Sequence, residues 1–354
     1  MGVRINPGSG TAVPRGPASS SDPNSANAAA GMALHVRYAT ATEAIGSREN
    51  VLALIQFGAE PAAAAYPSAG IAMAQLDEGA RTEVWTSALA ARYGSANGIR
   101  YADDGQVLFG VLADDAPGSG ASFERRVREI YDAAFDLCQA QGYPHLLRVW
   151  NYFADINGAR DGLENYQRFC RARALAFQER FGEFVPLLPS ASAIGTDAGP
   201  FVLYFIAARQ AGMHRENPRQ LSAYSYPPQY GPRSPSFARA TLYRHDQHEL
   251  FFISGTASIV GHESMHRGDV RGQLDETLRN IEALIESTRR EESVRFRGLG
   301  DISHLKVYVR RPADLALVRE HLRQRIGDSP QVLYLQGEIC RSELLVEIEA
   351  VAER

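Results

Sequence analysis

The chain has only three cysteines in 354 residues, Cys138, Cys170 and Cys340. An odd, sparse set cannot form a disulfide framework, so a reducing compartment is expected. No apolar run approaches the ~20 residues that cross a bilayer, which argues against a membrane partner. The N-terminal stretch lacks the apolar segment of a signal peptide, and the expected location is cytoplasmic. Positive charge is not in excess: 37 Lys and Arg face 41 Asp and Glu, a net charge of -4. Nothing in that balance would neutralise a phosphate backbone, so no nucleic acid is expected as a partner. What remains is globular composition, 45% hydrophobic and 22% charged, and enough chain for two ordinary domains or one large one with a sizeable core.

Residues 1–32 are rich in Gly, Pro, Ser, Ala and Asn and are expected to be a disordered tail, since such a stretch buries too little apolar area to offset ordering entropy. Beyond it one pattern occurs twice. QVLFGVLADD (106–115) reads as a strand. The segment 122–142 reads as a helix, with Val127, Ile130, Tyr131, Ala134 and Leu137 at helical spacing. HLLRVWNYFADIN (145–157) is a strand, 162–182 a helix closed by Gly182, PSASAIG (189–195) a loop and FVLYFIAA (201–208) a strand. The second half repeats this order: strand 248–259, helix 269–288, strand 302–311, helix 312–327 with Pro312 at its start, and strands 331–340 and 343–352. The pattern predicts two α+β domains, 33–210 and 211–354, each a sheet with two helices on one face, arranged pseudo-symmetrically. The crevice between them suits a small ligand.

Three segments carry chemistry. His262-Glu263-Ser264-Met265-His266 spells the HExxH of zinc proteases. That motif needs both histidines on one helical face, whereas this copy follows a strand and precedes the helix that begins near Asp269, so no metal is expected. Residues 216–239 combine prolines with Tyr224, Tyr226, Tyr230, Arg219 and Arg239. Proline stiffens such a loop, arginine forks bind carboxylates bidentately, and tyrosine supplies hydroxyl donors, which suits a small dianion. The alternative is a structural crossover with solvated arginines. Finally, LLVEIEA (344–350) puts Glu347 and Glu349 on the same face of an apolar strand. Burial would raise the pKa of such an acid and make it a general acid–base group; the alternative is an exposed edge or an ion pair. The corresponding strand of the first half, FVLYFIAA, has no acid, so the second half is expected to be the catalytic one.

RVWNYFADIN with GLENYQRFCRARALAF, then ENPRQLSAYSYPPQYGPRSPSFARA, SGTASIVGHESMHRGD and GEICRSELLVEIEA, resemble in that order the chorismatases, over roughly residues 100 to 354. The resemblance implies two fused RidA/YjgF-like (chorismate-mutase-like) domains, no metal or organic cofactor, and chorismate as the small-molecule substrate. It implies Glu347 as the catalytic acid. Two small-residue positions separate the subtypes, Ala at both in the hydrolases and Gly with Cys in the 3-hydroxybenzoate synthases; here they match Gly255 and Cys340. The implied reaction is therefore chorismate to 3-hydroxybenzoate and pyruvate, with some 4-hydroxybenzoate as a second product. Cys340 would guide that branch chemically or by shape alone. Arg219 and Arg239 are the expected carboxylate partners, with the three tyrosines as further donors, and a monomer is expected. The alternatives are a chorismate hydrolase, which gives a dihydroxycyclohexadiene carboxylate, and a RidA-like imine deaminase or ligand-binding module.

Overall fold

The structure, a computed structural model, describes residues 34–40, 43, 50–58 and 64–354. The expected tail at 1–32 lies outside the described residues. Three sheets carry the fold. Strands β1 (Leu34–Thr40), β2 (Asn50–Phe57), β3 (Ser68–Ile71) and β4 (Arg81–Ser87) pair in the order β1-β4-β2-β3. The sequence patterns above predict no element in this stretch.

The second sheet begins with β5 (Arg92–Ala96), β6 (Ile99–Asp103) and β7 (Val107–Asp114). Helix α1 (Ala121–Gln141) follows, then β8 (His145–Ala154) and a two-residue hairpin of β9 (Ala159–Arg160) and β10 (Leu163–Glu164). Helix α2 (Asn165–Phe181), β11 (Ser190–Thr196) and β12 (Phe201–Ala208) complete it, in the order β11-β8-β12-β7-β6-β5. The third sheet is built from β13 (Met213–Arg215), β14 (Ala240–His245) and β15 (His248–Ala257). A small hairpin, β16 (Ile259–Val260) with β17 (Glu263–Ser264), leads to α3 (Val270–Glu291) and β18 (His304–Val309). Helix α4 (Leu315–Ile326), β19 (Gln331–Gln336) and β20 (Val346–Glu353) close the chain, giving the order β13-β14-β15-β20-β18-β19.

The two helix-bearing sheets share one topology. In each, a parallel pair (β8 with β11, β18 with β19) forms one edge and every other pairing is antiparallel. The first sheet repeats the four-strand core of that plan, since β2 and β3 are parallel and β4 runs antiparallel to both β2 and β1. The architecture is α+β, as the sequence patterns predict.

Helix positions follow from local chemistry. Gly142 caps α1 in the left-handed conformation at φ 76°, and Asp269 caps α3 by accepting from the Gly272 amide at 3.0 Å. Pro312 opens a separate 3-10 turn before α4 rather than the helix itself. Helices α1 and α2 cover one face of the second sheet, through Val127, Ile130, Phe169 and Phe177. Helix α3 covers the third through Leu274, Leu278 and Ile281. The uncovered faces of all three sheets meet in one interior that includes Val36, Trp85, Phe109, Trp150, Tyr204, Phe252 and Tyr308.

One segment departs from its expected state. PSASAIG reads as a loop because its residues are small and polar, yet Ser190–Thr196 is the buried strand β11. Its serines are satisfied by tertiary contacts: Ser190 Oγ donates to the Leu147 carbonyl at 2.9 Å, and the Ala191 amide donates to Ser254 Oγ at 2.9 Å. Burial of polar side chains is tolerated when each finds a partner, and these partners come from distant segments.

Candidate active site

Strand β20 is buried along nearly its whole length. Ile348 and Ala350 pack under α3 and α4, so Glu347 and Glu349 face the interior side together, as alternation predicts. Between β15 and β20 the register shifts from Ile253 to Thr256, a bulge that contains Ser254 and Gly255. A Cβ at Gly255 would overlap Glu347 Oε1, so the absence of a side chain there makes room for the carboxyl.

Beside this bulge lies a cavity of about 220 Å³ between the second and third sheets. Helix α2 presents one face to it, with Tyr166, Cys170 and Arg173 at helical spacing. Strand β11 contributes Ser192, the 226–239 segment contributes Tyr226, Tyr230 and Arg239, and the loop before β20 contributes Cys340 and Arg341. Gly255 and Glu347 form part of the wall.

The electrostatics are unusual. Arg173, Arg239 and Arg341 all line the cavity, and among the described residues none forms an ion pair with an acidic side chain. Arg173 is 3% exposed, and its Nε and Nη2 have no hydrogen-bond partner there. It stacks over the rings of Tyr131 and Phe177 at 5.3 and 5.5 Å. Arg239 is 4% exposed; its Nη2 donates to the Leu221 carbonyl and to Tyr226 Oη at 2.9 Å each, and its Nε is unpaired. Arg341 lies over the Tyr230 ring at 4.0 Å and donates to the His262 carbonyl at 2.9 Å. Arg239 feels the carboxyl of the part-buried Glu216, which burial raises, whereas Arg173 has no acidic partner among the described residues; a buried guanidinium without an anion is unfavourable, so a small anionic ligand would relieve the charge.

Glu347 faces these groups as an acid. Burial, with the neighbouring charge of Glu349, pushes its carboxyl up to about 8, against the partial opposition of Arg148, Arg239 and Arg310. Glu349 goes the other way. Burial would raise it, but Lys306 and Arg148 outweigh burial and hold it at about 2. Two carboxyls on one strand face are thus driven apart, a proton-bearing acid next to a permanent anion. Burial and the proximity of Glu347 raise the Cys340 thiol to about 12, so it is a neutral thiol at physiological pH.

Of the expected site residues, Glu347, Cys340, Gly255, Tyr226, Tyr230 and Arg239 come together around the cavity. Arg219 and Tyr224 do not line it. Arg219 Nη1 donates to Asn280 Oδ1 at 2.9 Å and Nη2 to Glu276 at 2.5 Å, so that side chain anchors its loop to α3. Tyr224 packs against the apolar layer under α1 and α2. The HExxH segment straddles the β16–β17 hairpin rather than a helix, with His262 against Tyr230 and His266 against Glu276. The sequence reading missed Arg173, Ser192, Cys170, Tyr166 and Arg341. Arg173 had a signal, a charged residue within the apolar stripe Phe169, Cys170, Phe177 of α2. Ser192 had none.

Fold and site together describe an α+β protein with a pocket lined by three arginines and a buried carboxyl. Residues 83–207 match the family described as "Chorismatase FkbO/Hyg5-like, N-terminal". The chain is 39% identical over 294 residues to a "3-hydroxybenzoate synthase" of Streptomyces hygroscopicus, covering 81% of this chain and 85% of that protein. It is 41% identical over 276 residues to a "Chorismatase" of Streptomyces rapamycinicus, covering 76% of this chain and 81% of that one. A crystal structure of a chorismatase superposes with a TM-score of 0.84 at 36% identity, over 91% of this chain and 99% of that one. The chain belongs to the chorismatase family.

Proposed function

We propose that the protein cleaves chorismate to 3-hydroxybenzoate and pyruvate, with Glu347 as the acid. The observation that carries this reading is the pairing of a buried, proton-bearing carboxyl with three arginines that lack acidic partners around one cavity. Chorismate carries two carboxylates and an enol ether. Arg173 and Arg239 would hold the carboxylates by charge-assisted hydrogen bonds, with Tyr226, Tyr230 and Arg341 closing the wall. Glu347 would then protonate the enol-ether methylene carbon and generate an oxocarbenium ion.

From that ion the oxygen of the neighbouring ring hydroxyl displaces the ether oxygen at the adjacent ring carbon. The hydroxyl proton returns to Glu347, and the electron pair of the broken C–O bond goes to the carbonyl of departing pyruvate. The oxygen then bridges the two ring carbons as an arene oxide; its bond to the carbon that first carried it breaks as the oxygen takes a proton from Glu347, and the other bridged carbon loses its proton back to the carboxylate, which aromatises the ring. The two products together have the atoms of chorismate, so no water is consumed. Water attack on the oxocarbenium ion would instead give the diol of the hydrolase outcome. Gly255 and Cys340 support the internal branch, because they leave the acid undisplaced and surround the ring with small groups. The neutral Cys340 thiol suits shape or a weak hydrogen bond rather than base catalysis.

The reaction as written uses no metal or organic cofactor. A monomer is the working unit proposed with it. Free cysteines among the described residues, Cys138, Cys170 and Cys340, are in keeping with a reducing, cytoplasmic setting. No helix among the described residues is long and apolar enough to cross a membrane. Chromatography of an incubation with chorismate tests the reading: 3-hydroxybenzoate and pyruvate in equal amounts are expected. The non-aromatic diol as sole product would assign the hydrolase reaction, and no pyruvate would remove both.

A further inference from the structure

Glu347 shares its strand face with a buried ion cluster that the proposed chemistry leaves unused. Glu349 Oε1 pairs with Lys306 Nζ at 2.7 Å, and its Oε2 pairs with Arg148. Lys306 also donates to Glu83 at 2.8 Å and to Tyr204 at 2.7 Å. Tyr308 donates to Glu349 Oε1 at 2.7 Å, and Tyr152 lies 2.7 Å from Tyr308. Strands β4, β8, β12, β18 and β20 supply these groups, so the cluster sits where the three sheets meet. Glu83 and Glu349 balance Lys306 and Arg148. Well-packed apolar residues often stabilise such an interior at least as well, so stability alone is a weak reason for the cluster.

Two links join it to the cavity. Residues two apart on a strand lie roughly 7 Å apart on one face, close enough for charge to act through a protein interior. The second link is mechanical. Ser192 Oγ donates to Glu349 Oε2 at 2.6 Å and accepts from the Gly255 amide at 3.0 Å. The bulge that makes room for the Glu347 carboxyl is therefore pinned to Glu349 through one side chain.

We propose that Glu349 is a positioning residue for Glu347: clamped between Lys306 and Arg148, it sets a fixed negative charge beside that carboxyl and, through Ser192, holds the Gly255 bulge against it. This rests on the reading of Glu347 as the proton donor. The other groups that face Glu347 come from several elements. Arg148 on β8, Arg239 before β14 and Arg310 after β18 favour its anion. Tyr166 on α2 and Cys340 interact with its charge and are neutral at physiological pH. Tyr308 is its partner across the β18–β20 ladder. Around Glu349 stand Lys306, Arg148, Tyr308, Tyr152, Tyr204 and Glu83, and of these the two cations keep it ionised. Removing the Glu349 charge frees Arg148 to act on Glu347 alone. Both changes favour the Glu347 anion, so its titration should move to lower pH.

The test follows the Glu347 proton directly and turnover separately. The protonated carboxyl C=O stretch is recorded by infrared difference spectroscopy against pH and assigned by its loss in Glu347→Gln. In Glu349→Gln the titration is expected to move down by about one pH unit or more, and Glu349→Asp should restore most of it. The alkaline limb of pyruvate release from chorismate should move with it. Because Glu349→Gln leaves two buried cations, Lys306 and Arg148, with Glu83 as the remaining anion of the cluster and can unfold the chain, it is also paired with Lys306→Met, which leaves one cation and one anion. An unmoved Glu347 titration in either folded variant overturns the proposal. A titration that moves in protein whose wild type releases no pyruvate supports the coupling and removes the chorismate reading instead.

Discussion

Glu347 Oε1 fills the space that a side chain on Gly255 would need. The backbone of Gly255 is held there by Ser192, so the carboxyl rather than the bulge must give way when a methyl is added. Gly255→Ala is therefore expected to displace the acid. Combined with Cys340→Ala, it should shift the product from 3-hydroxybenzoate towards the non-aromatic diol while pyruvate is still released. Both positions line one cavity, so the double variant has to be measured rather than inferred by addition. An unchanged product spectrum in the double variant means that these positions do not steer the branch.

Glu347→Gln keeps the shape of the side chain and removes its proton. Turnover should fall by ~10² to 10⁴, with chorismate binding retained in a calorimetric titration. Near-normal turnover would remove Glu347 from the chemistry.

The pH profile follows from the same residue. The acid form is the reactive one, and it is populated below its raised value of about 8. The rate of the chemical step should hold through neutral pH and decline as pH rises through 8. An ordinary glutamate would have lost its proton between about three and four pH units lower, so a profile already falling between pH 4 and 6 would contradict the buried-acid reading.

The arginines divide into two groups. Arg173→Ala and Arg239→Ala each remove a proposed carboxylate contact, and kcat/KM should drop roughly ten- to a hundredfold. Arg219 is tied to Glu276 and Asn280 instead. Arg219→Ala should lower Tm while leaving KM for chorismate near its original value. A large KM effect from Arg219 with no effect from Arg173 would reverse that division.

Chelation should leave activity intact. His262 and His266 point to different partners from a hairpin, Tyr230 and Glu276, and serve no step of the proposed reaction. Loss of pyruvate release in EDTA, restored by zinc, would overturn this.

Much of the site was legible because it depends on local pattern. Strand alternation puts Glu347 and Glu349 on one face whatever the strand packs against, and the proline-rich stretch from 216 to 239 reads as a stiff loop bearing Tyr226, Tyr230 and Arg239. The matching order of strands and helices in the two halves likewise follows from periodicity. Other features belong to the tertiary structure alone. Arg219 and Arg239 have the same chemistry in the same loop, and only packing sends one to Glu276 and the other to the cavity. Ser190–Thr196 becomes a strand because Leu147, Ser254 and Glu349 supply partners for its polar groups. Lys306 meets Glu83 across 223 residues of chain, in an interior where three sheets turn their faces together. Periodicity states which face of an element is buried; which faces meet, and so which buried charges find partners and which stay free for a ligand, is decided when the sheets pack.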